Sequence, residues 1–274
     1  MRVTSWNLLH GMAIPPSNDL ANDRIKLGQG IQAIGADVIG IQEVDEKLGR
    51  SGNISQTKLV GEAMGTQYWG FAPVIIGEPG AKWRKLNPAE LKVITQENPE
   101  QNNEGSYGIG IVSKIPVRSW HRLELGNSPL GLPLVVPGDE TGKGKPRFIY
   151  VKDEPRLALA AVLENGWTVV NTHLSFVPVF NLVQLKRVKK WALSLAQETN
   201  TRPLILGDLN LPKNLPIAFS SWKSLVSANT YPSWGAKIQF DYLLVPESPE
   251  GGFHGLPIST TGISDHLPIS VLLP

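Results

Sequence analysis

The sequence predicts a strand-rich, layered α/β fold formed as one domain over residues 1–274. Three observations carry this expectation. Short runs dense in Val, Ile and Leu recur at strand length along the whole chain. Only two segments keep a helical period. The chain also holds 27 glycines and 22 prolines among its 274 residues, more turn formers than an ordinary chain carries. Domains of about 150 residues are usual, but single α/β domains of 200 to 250 residues are common. No linker-like stretch or internal repeat divides this chain, so one domain is the expectation.

Taken in order, residues 2–7 (RVTSWN) and 37–44 (DVIGIQEV) read as the first two strands. Between them Leu20, Ile25, Leu27, Ile31 and Ile34 fall roughly on one side of a helix. It starts after Ser17 or Asn18, ends near Gly35 and is weakened by Gly28 and Gly30. Residues 108–112, 156–163, 167–173, 203–207, 240–245 and 268–273 continue the set of strands. A second helix starts near Asn181, runs through Leu182, Leu185, Val188, Trp191, Ala192 and Leu195, and stops before Asn200. Residues 77–106, 126–145 and 246–261 read as long loops, and two strand-rich halves of one sandwich would meet near residues 152–155.

Composition limits the chemistry. With no cysteine there is no disulfide framework, thiolate metal site or cysteine nucleophile, so a metal would be held by carboxylates, amides or imidazoles, which favours Mg²⁺ or Mn²⁺. A balance of 26 basic and 24 acidic residues gives a charge of +2, too little to predict strong polyanion binding by counterion release. The N-terminal MRVTSWNLLHG lacks the apolar stretch of a signal peptide, and no run reaches the ~20 apolar residues of a membrane span. The expected location is therefore cytoplasmic, with no transmembrane segment.

Polar residues repeatedly close the apolar runs. Asn7 ends the first, Gln42 and Glu43 the second, His173 follows another and Asp208-Leu209-Asn210 another. Asp241 opens a strand, and Asp265-His266 precedes the last. In a layered fold such strand ends converge on one rim, where rigid backbone aims side chains at a shared ligand. Carboxylates and amide oxygens there would bind a hard divalent cation, an imidazole backed by a carboxylate suits a general base, and a second imidazole suits phosphoryl binding. Taken singly each is ordinary: an Asx turn at Asp208, a cap at Asp265, a rim histidine at His173. Their joint occurrence is the signal.

The ordered series WNLLHG, DVIGIQEV, YGIGIVSK, VVNTHLS, LILGDLN, FDYLLV and SDHLPI, spanning residues 6–269, resembles the endonuclease/exonuclease/phosphatase superfamily. The resemblance implies a deoxyribonuclease I-like four-layer sandwich, two packed mixed β-sheets flanked by helices, with the site at one rim. It implies a hydrolase of phosphoesters that uses one or two Mg²⁺ or Mn²⁺ ions. By the same resemblance Glu43, Asn7 and Asp265 surround the metal, His266 is the general base and Asp241 orients it. Asp208 and Asn210 position water and phosphoryl group, His173 binds the phosphate from the other side, and Arg156 and Tyr107 contact the substrate phosphate.

The segment NTHLS around His173 resembles the deoxyribonuclease, sphingomyelinase and phosphoinositide phosphatase branches more than the apurinic nucleases. Expected substrates are thus nucleic acid, phospholipid or inositol phosphate. The leading reading is a phosphodiesterase, either a nuclease or a lipid hydrolase, with an inactive binding module on the same fold as the remote alternative. His10, His121 and His254 fall outside the motifs and read as ordinary surface or loop histidines, with His10 set apart as the exception because it follows Asn7 closely. Trp83, Trp222 and Trp234, in loop-like contexts, are candidates to line a groove, and the apolar segment at 130–136 (LGLPLVV) is a candidate to touch lipid.

Overall fold

The structure, a computed structural model, describes residues 1–99, 104–136, 147–247, 251–256 and 261–274. In chain order its regular elements are β1 (Arg2–Asn7), α1 (Leu20–Ile34), β2 (Val38–Glu46), α2 (Gln56–Met64), β3 (Tyr68–Gly77), β4 (Trp83–Lys85), β5 (Ile94–Thr95), β6 (Ser106–Ser113), β7 (Val117–Gly126), β8 (Leu132–Val136) and β9 (Arg147–Val151). They continue as β10 (Arg156–Leu163), β11 (Trp167–His173), α3 (Phe180–Thr199), β12 (Arg202–Asp208), β13 (Lys223–Ser224), β14 (Asp241–Val245), β15 (His254–Leu256) and β16 (Ile269–Leu272).

Eight strands form one mixed sheet in the order β15-β16-β1-β2-β6-β3-β4, with β5 paired to β3. Six form the other, β13-β14-β12-β11-β10-β7, and β8 with β9 makes a separate hairpin. Continuous apolar strands are what a layer covered on both faces requires. In β10, all of it buried, Leu157, Leu159, Ala161 and Leu163 face the core between the sheets, while Ala158, Ala160 and Val162 face the core under α3. In β2, Ile39 and Ile41 join Leu27, Ile31 and Val60 in a third core under α1 and α2. Three apolar cores separating four layers give the expected sandwich. Gly40 marks where the sheets come closest, since a Cβ there would lie 2.0 Å from the Leu206 side chain.

Local chemistry sets the helix limits. The Asp19 carboxylate accepts the Asn22 N–H at 3.0 Å to start α1, and Gly35, at φ 61°, ends it in the left-handed conformation that glycine adopts without penalty. Ser55 caps α2 and Gly65 closes it. The sequence reading placed no helix there, because α2 is short and Gly61 interrupts its period. The reading of long loops needs correction as well. Residues 77–106 contain β4 and β5, 126–145 contain β8 and 246–261 contain β15, while the rest of those stretches lies partly outside the described residues. The long strands β3 and β7 were also not anticipated, since neither is a clean apolar run. Nor do the sheets divide near residues 152–155: β7 belongs to the second sheet, and β15 and β16 return to the first. Among the described residues no helix is long and apolar enough to cross a membrane.

Two parallel crossovers define the rim. β1 and β2 run parallel through α1 with Asn7 beside Gln42, and β11 and β12 run parallel through α3 with His173 beside Asp208. Antiparallel β14 adds Asp241 opposite Asp208. Buried amides stitch the two sheets below this edge: Gln42 Nε2 donates to Asn171 Oδ1 at 2.7 Å, and Asn171 Nδ2 donates to the carbonyls of Ile41 and Gly110 at 2.9 and 2.8 Å.

Candidate active site

Each polar side chain at the rim is aimed by a local departure from regular backbone. The pairing of β2 with β6 slips between Ile41 and Val44, and Glu43, inside this bulge, has φ 53°. A bulge re-aims a side chain, and the left-handed conformation costs a non-glycine residue about 1 kcal/mol or more. Gly207 precedes Asp208 at φ 146°, where a Cβ would lie 1.8 Å from the Thr172 carbonyl oxygen, so only glycine lets β12 reach the rim here. Asn210 at φ 49° turns the chain back, and Asp208 Oδ1 accepts its N–H at 3.0 Å. The first and last motifs are tied together: Ser264 Oγ donates to the Asn7 carbonyl at 2.6 Å and accepts the His266 N–H at 3.0 Å, while the Trp6 indole donates to the His266 carbonyl at 3.0 Å.

These elements bring Asn7, Glu43, His173, Asp208, Asn210, Asp241 and His266 into one cluster. The Asn7 amide donates to Glu43 Oε1 at 2.9 Å and to Asp208 Oδ2 at 3.1 Å, and its own oxygen accepts the Leu9 N–H at 3.0 Å. His266 Nδ1 lies 2.8 Å from Asp241 Oδ2, and its Nε2 lies 3.7 Å from Asp208 Oδ2. On the other side His173 Nε2 stands 3.6 Å from the same Asp208 oxygen and 4.0 Å from Glu43 Oε1. Asn210 Nδ2 donates to the Leu174 carbonyl at 3.0 Å and sits 3.3 Å from His173 Nε2. Asp265, half-buried, is close enough to Glu43 to raise its pKa.

Arg156 and Tyr107 are buried beside the cluster, each within the field of Glu43. Arg156 is buried with its guanidinium 3.0 Å from Glu154 and 3.6 Å from Asp153, so it acts on the cluster through its charge, which reaches His173. Tyr107 is buried beneath Arg50, whose guanidinium carbon is 5.7 Å from the ring centroid, and burial holds its hydroxyl well above the usual phenol range.

Burial and mutual repulsion control the charges. Burial, then Asp265, pushes Glu43 up to about 7. Burial likewise lifts Asp208 to about 6 against the opposing pull of His266. For His266 burial opposes the charge, but Asp241 and Asp208 overcome it and hold the imidazole protonated to about 10. His173, with Arg156 and not a carboxylate behind it, is driven well below the usual imidazole range, first by burial and then by Arg156 and His266. A divalent cation fits this donor set. Oxygen and nitrogen ligand atoms of Glu43, His173 and Asp208, and of Asp208, Asp241 and His266, lie within 4.8 Å of one another in each group. Among the described residues Asp241 Oδ1 is buried without a hydrogen-bond partner, and the raised pKa values of Glu43 and Asp208 reflect crowded, buried carboxylates whose charged forms a cation would favour.

Two residues near the site, Tyr231 and Arg50, escaped the sequence reading. The Tyr231 ring packs on His266 with centroids 5.0 Å apart, and Arg50 forms a two-pronged ion pair with Asp45 at 2.8 and 2.9 Å. His10, set apart in the sequence for its closeness to Asn7, lies within the field of Arg50, and burial followed by that charge lowers it to about 4. Of the three tryptophans proposed for a groove, Trp222 is core, half-buried Trp83 begins β4 and Trp234 is exposed.

Residues 4–266 match the Endonuclease/Exonuclease/phosphatase family. No curated protein matches the chain by sequence. Among solved structures the chain is similar to mannosyl-6-phosphatase from Bacteroides thetaiotaomicron, at 15% identity and a TM-score of 0.56, covering 100% of this chain and 99% of that one. It is similar to truncated TDP2 from Caenorhabditis elegans at 15% identity and a TM-score of 0.58, covering 98% and 96% of the two chains. A family protein from Leptotrichia buccalis gives 11% identity and a TM-score of 0.60, covering 100% and 99%.

Proposed function

We propose that this chain, which belongs to the endonuclease/exonuclease/phosphatase family, is a divalent-metal-dependent phosphodiesterase whose 274 residues act as one domain. The observation that carries this reading is the chain of contacts Asp241–His266–Asp208 set against Glu43 and His173. Glu43, Asn7 and Asp265 would hold a Mg²⁺ or Mn²⁺ ion. Bound there, the ion would polarise a phosphoryl oxygen and offset the carboxylate field that otherwise keeps His266 protonated.

His266, oriented by Asp241 through Nδ1, takes a proton from the attacking water at Nε2. Asp208 lies within reach of both imidazoles and positions that water, while the Asn210 amide and neutral His173 donate to the phosphoryl oxygens. Asn7 keeps Glu43 and Asp208 from swinging apart by donating to both. Two of the structures similar in fold carry the names mannosyl-6-phosphatase and TDP2. The spread in those names leaves the leaving group to the loops around the rim.

The test is hydrolysis of bis-p-nitrophenyl phosphate, beside the monoester, in Mg²⁺, in Mn²⁺ and in chelator. Metal-dependent diester cleavage supports the proposal, and inactivity on both esters in both metals contradicts it.

A further inference from the structure

Beside the site the chain exposes apolar side chains that the fold does not require. Just past His173 it presents Val179, 67% exposed, with Phe180 at 38% and Val183 at 55%. Val179 also has φ 71°, a strained conformation for a β-branched residue, and no side chain caps the helix that follows it. Leu130 and Tyr150, at 67% and 64%, flank the base of the β8–β9 hairpin, where the Tyr150 hydroxyl accepts the Gly131 N–H at 2.8 Å. Hydrogen bonds fix that base against the start of α3. Asp153 Oδ2 accepts the Ser128 N–H at 2.7 Å and the Ser175 hydroxyl at 2.8 Å. Gln184 accepts the Ser175 N–H at 2.8 Å and donates to the Gly126 carbonyl at 3.0 Å. β11 ends and β10 begins at the site rim, and the start of α3 and the hairpin base continue from these two strand ends.

Positive charge lies directly behind these apolar side chains. On the outer stripe of α3, Val183 is followed by Lys186 and Lys190 at spacings of three and seven residues, and exposed Lys152 stands at the hairpin base. Among the described residues none of these three lysines has a carboxylate within ion-pair distance. The neighbouring acids are engaged, Glu124 with Arg122 and Glu154 with Arg156. An apolar tip backed by unpaired lysines matches the profile of a bilayer with negative headgroups: hydrocarbon outermost, phosphate one layer in.

We propose that this face docks the protein on an anionic lipid bilayer. Leu130, Tyr150, Val179, Phe180 and Val183 enter the boundary between headgroups and acyl chains, and Lys152, Lys186 and Lys190 meet lipid phosphates. Docked this way, the rim lies at headgroup level, so the ester offered to it is carried on a lipid. That last step rests on the phosphodiesterase reading, whereas the docking itself does not.

The test is co-sedimentation of the whole chain with vesicles of phosphatidylcholine alone and of phosphatidylcholine mixed with phosphatidylserine, scored apart from turnover of the soluble diester. The wild type should pellet with the mixed vesicles far more than with neutral ones. Lys186→Gln and Lys190→Gln should each weaken binding about fivefold. Val179→Asp with Val183→Asp should weaken it by about tenfold or more while leaving soluble diester turnover and folding intact, because both side chains are exposed and bury no core contact. Wild-type protein that ignores both vesicle types, or an Asp pair that still pellets, overturns the proposal. So does a dimer in sedimentation velocity that the Asp pair converts to monomer, which would assign the face to a second copy of the chain.

Discussion

His266 and His173 stand 3.7 and 3.6 Å from the same oxygen of Asp208, yet their pKa values are displaced in opposite directions. His266 has Asp241 behind its Nδ1 and stays protonated to about 10. His173 is buried with Arg156 in its field and stays neutral. Residue type and distance to the shared carboxylate are alike, so the difference comes from what backs each ring. Asp241 from β14 and Arg156 from β10 both belong to the second sheet, so one sheet supplies the group that sets each ring apart.

The comparison can be broken at several points. The largest effect should follow His266→Ala, with turnover falling by roughly a thousandfold, the scale of a lost general base. His173→Ala should cost less, about a hundredfold, because a hydrogen-bond donor is lost and not the base. Asp241→Asn removes the partner that distinguishes the two rings. Turnover should drop by about 10 to 100-fold, the scale of a lost orienting partner, and NMR titration of the ion-free protein should find His266 losing its proton at lower pH than in the wild type. An unchanged His266 titration would show that Asp208 alone sets its charge. Arg156→Met tests the other flank. It leaves Glu154 and Asp153 buried without their cation, at a cost of about 3 kcal/mol in denaturant unfolding, and His173 should titrate upward.

The smallest effect is on stability. Glu43 is raised from 4.5 to about 7 in the fold, so between those pH values the folded chain holds more protons than the unfolded one. Stability of the ion-free protein should therefore fall as pH rises through that window. Mn²⁺ added at pH 8 should raise the melting temperature more in wild type than in Glu43→Gln. A melting temperature indifferent to pH and ion would remove the charge-repulsion account of Glu43.

The polar residues that the fold gathers at the rim stood out in the sequence because each breaks a pattern. Glu43 interrupts and His173 ends a strand buried on both faces, where a polar residue needs a partner, and Asp208 follows a glycine that only a close approach explains. Tyr231 was not legible. It lies in NTYPSWG, which reads as a turn, and it reaches His266 across 35 residues of chain. Arg156 was found by resemblance, but its burial against Glu154 depends on how the hairpin base folds, which strand periodicity does not report. The expected loops concealed β4, β5, β8 and β15 because edge and hairpin strands this short carry no period of their own.

Both observations meet in the account's central claim: the rim is a hydrolytic metal site in which Glu43 holds the ion and His266 moves the proton. The direct measurement is Mn²⁺ binding by calorimetry and diester turnover on the same preparations of His266→Ala and Glu43→Gln. The account predicts that His266→Ala binds Mn²⁺ nearly as wild type does and turns nothing over, while Glu43→Gln loses both. If His266→Ala instead loses the ion, or Glu43→Gln retains it, the roles assigned to these two residues are wrong.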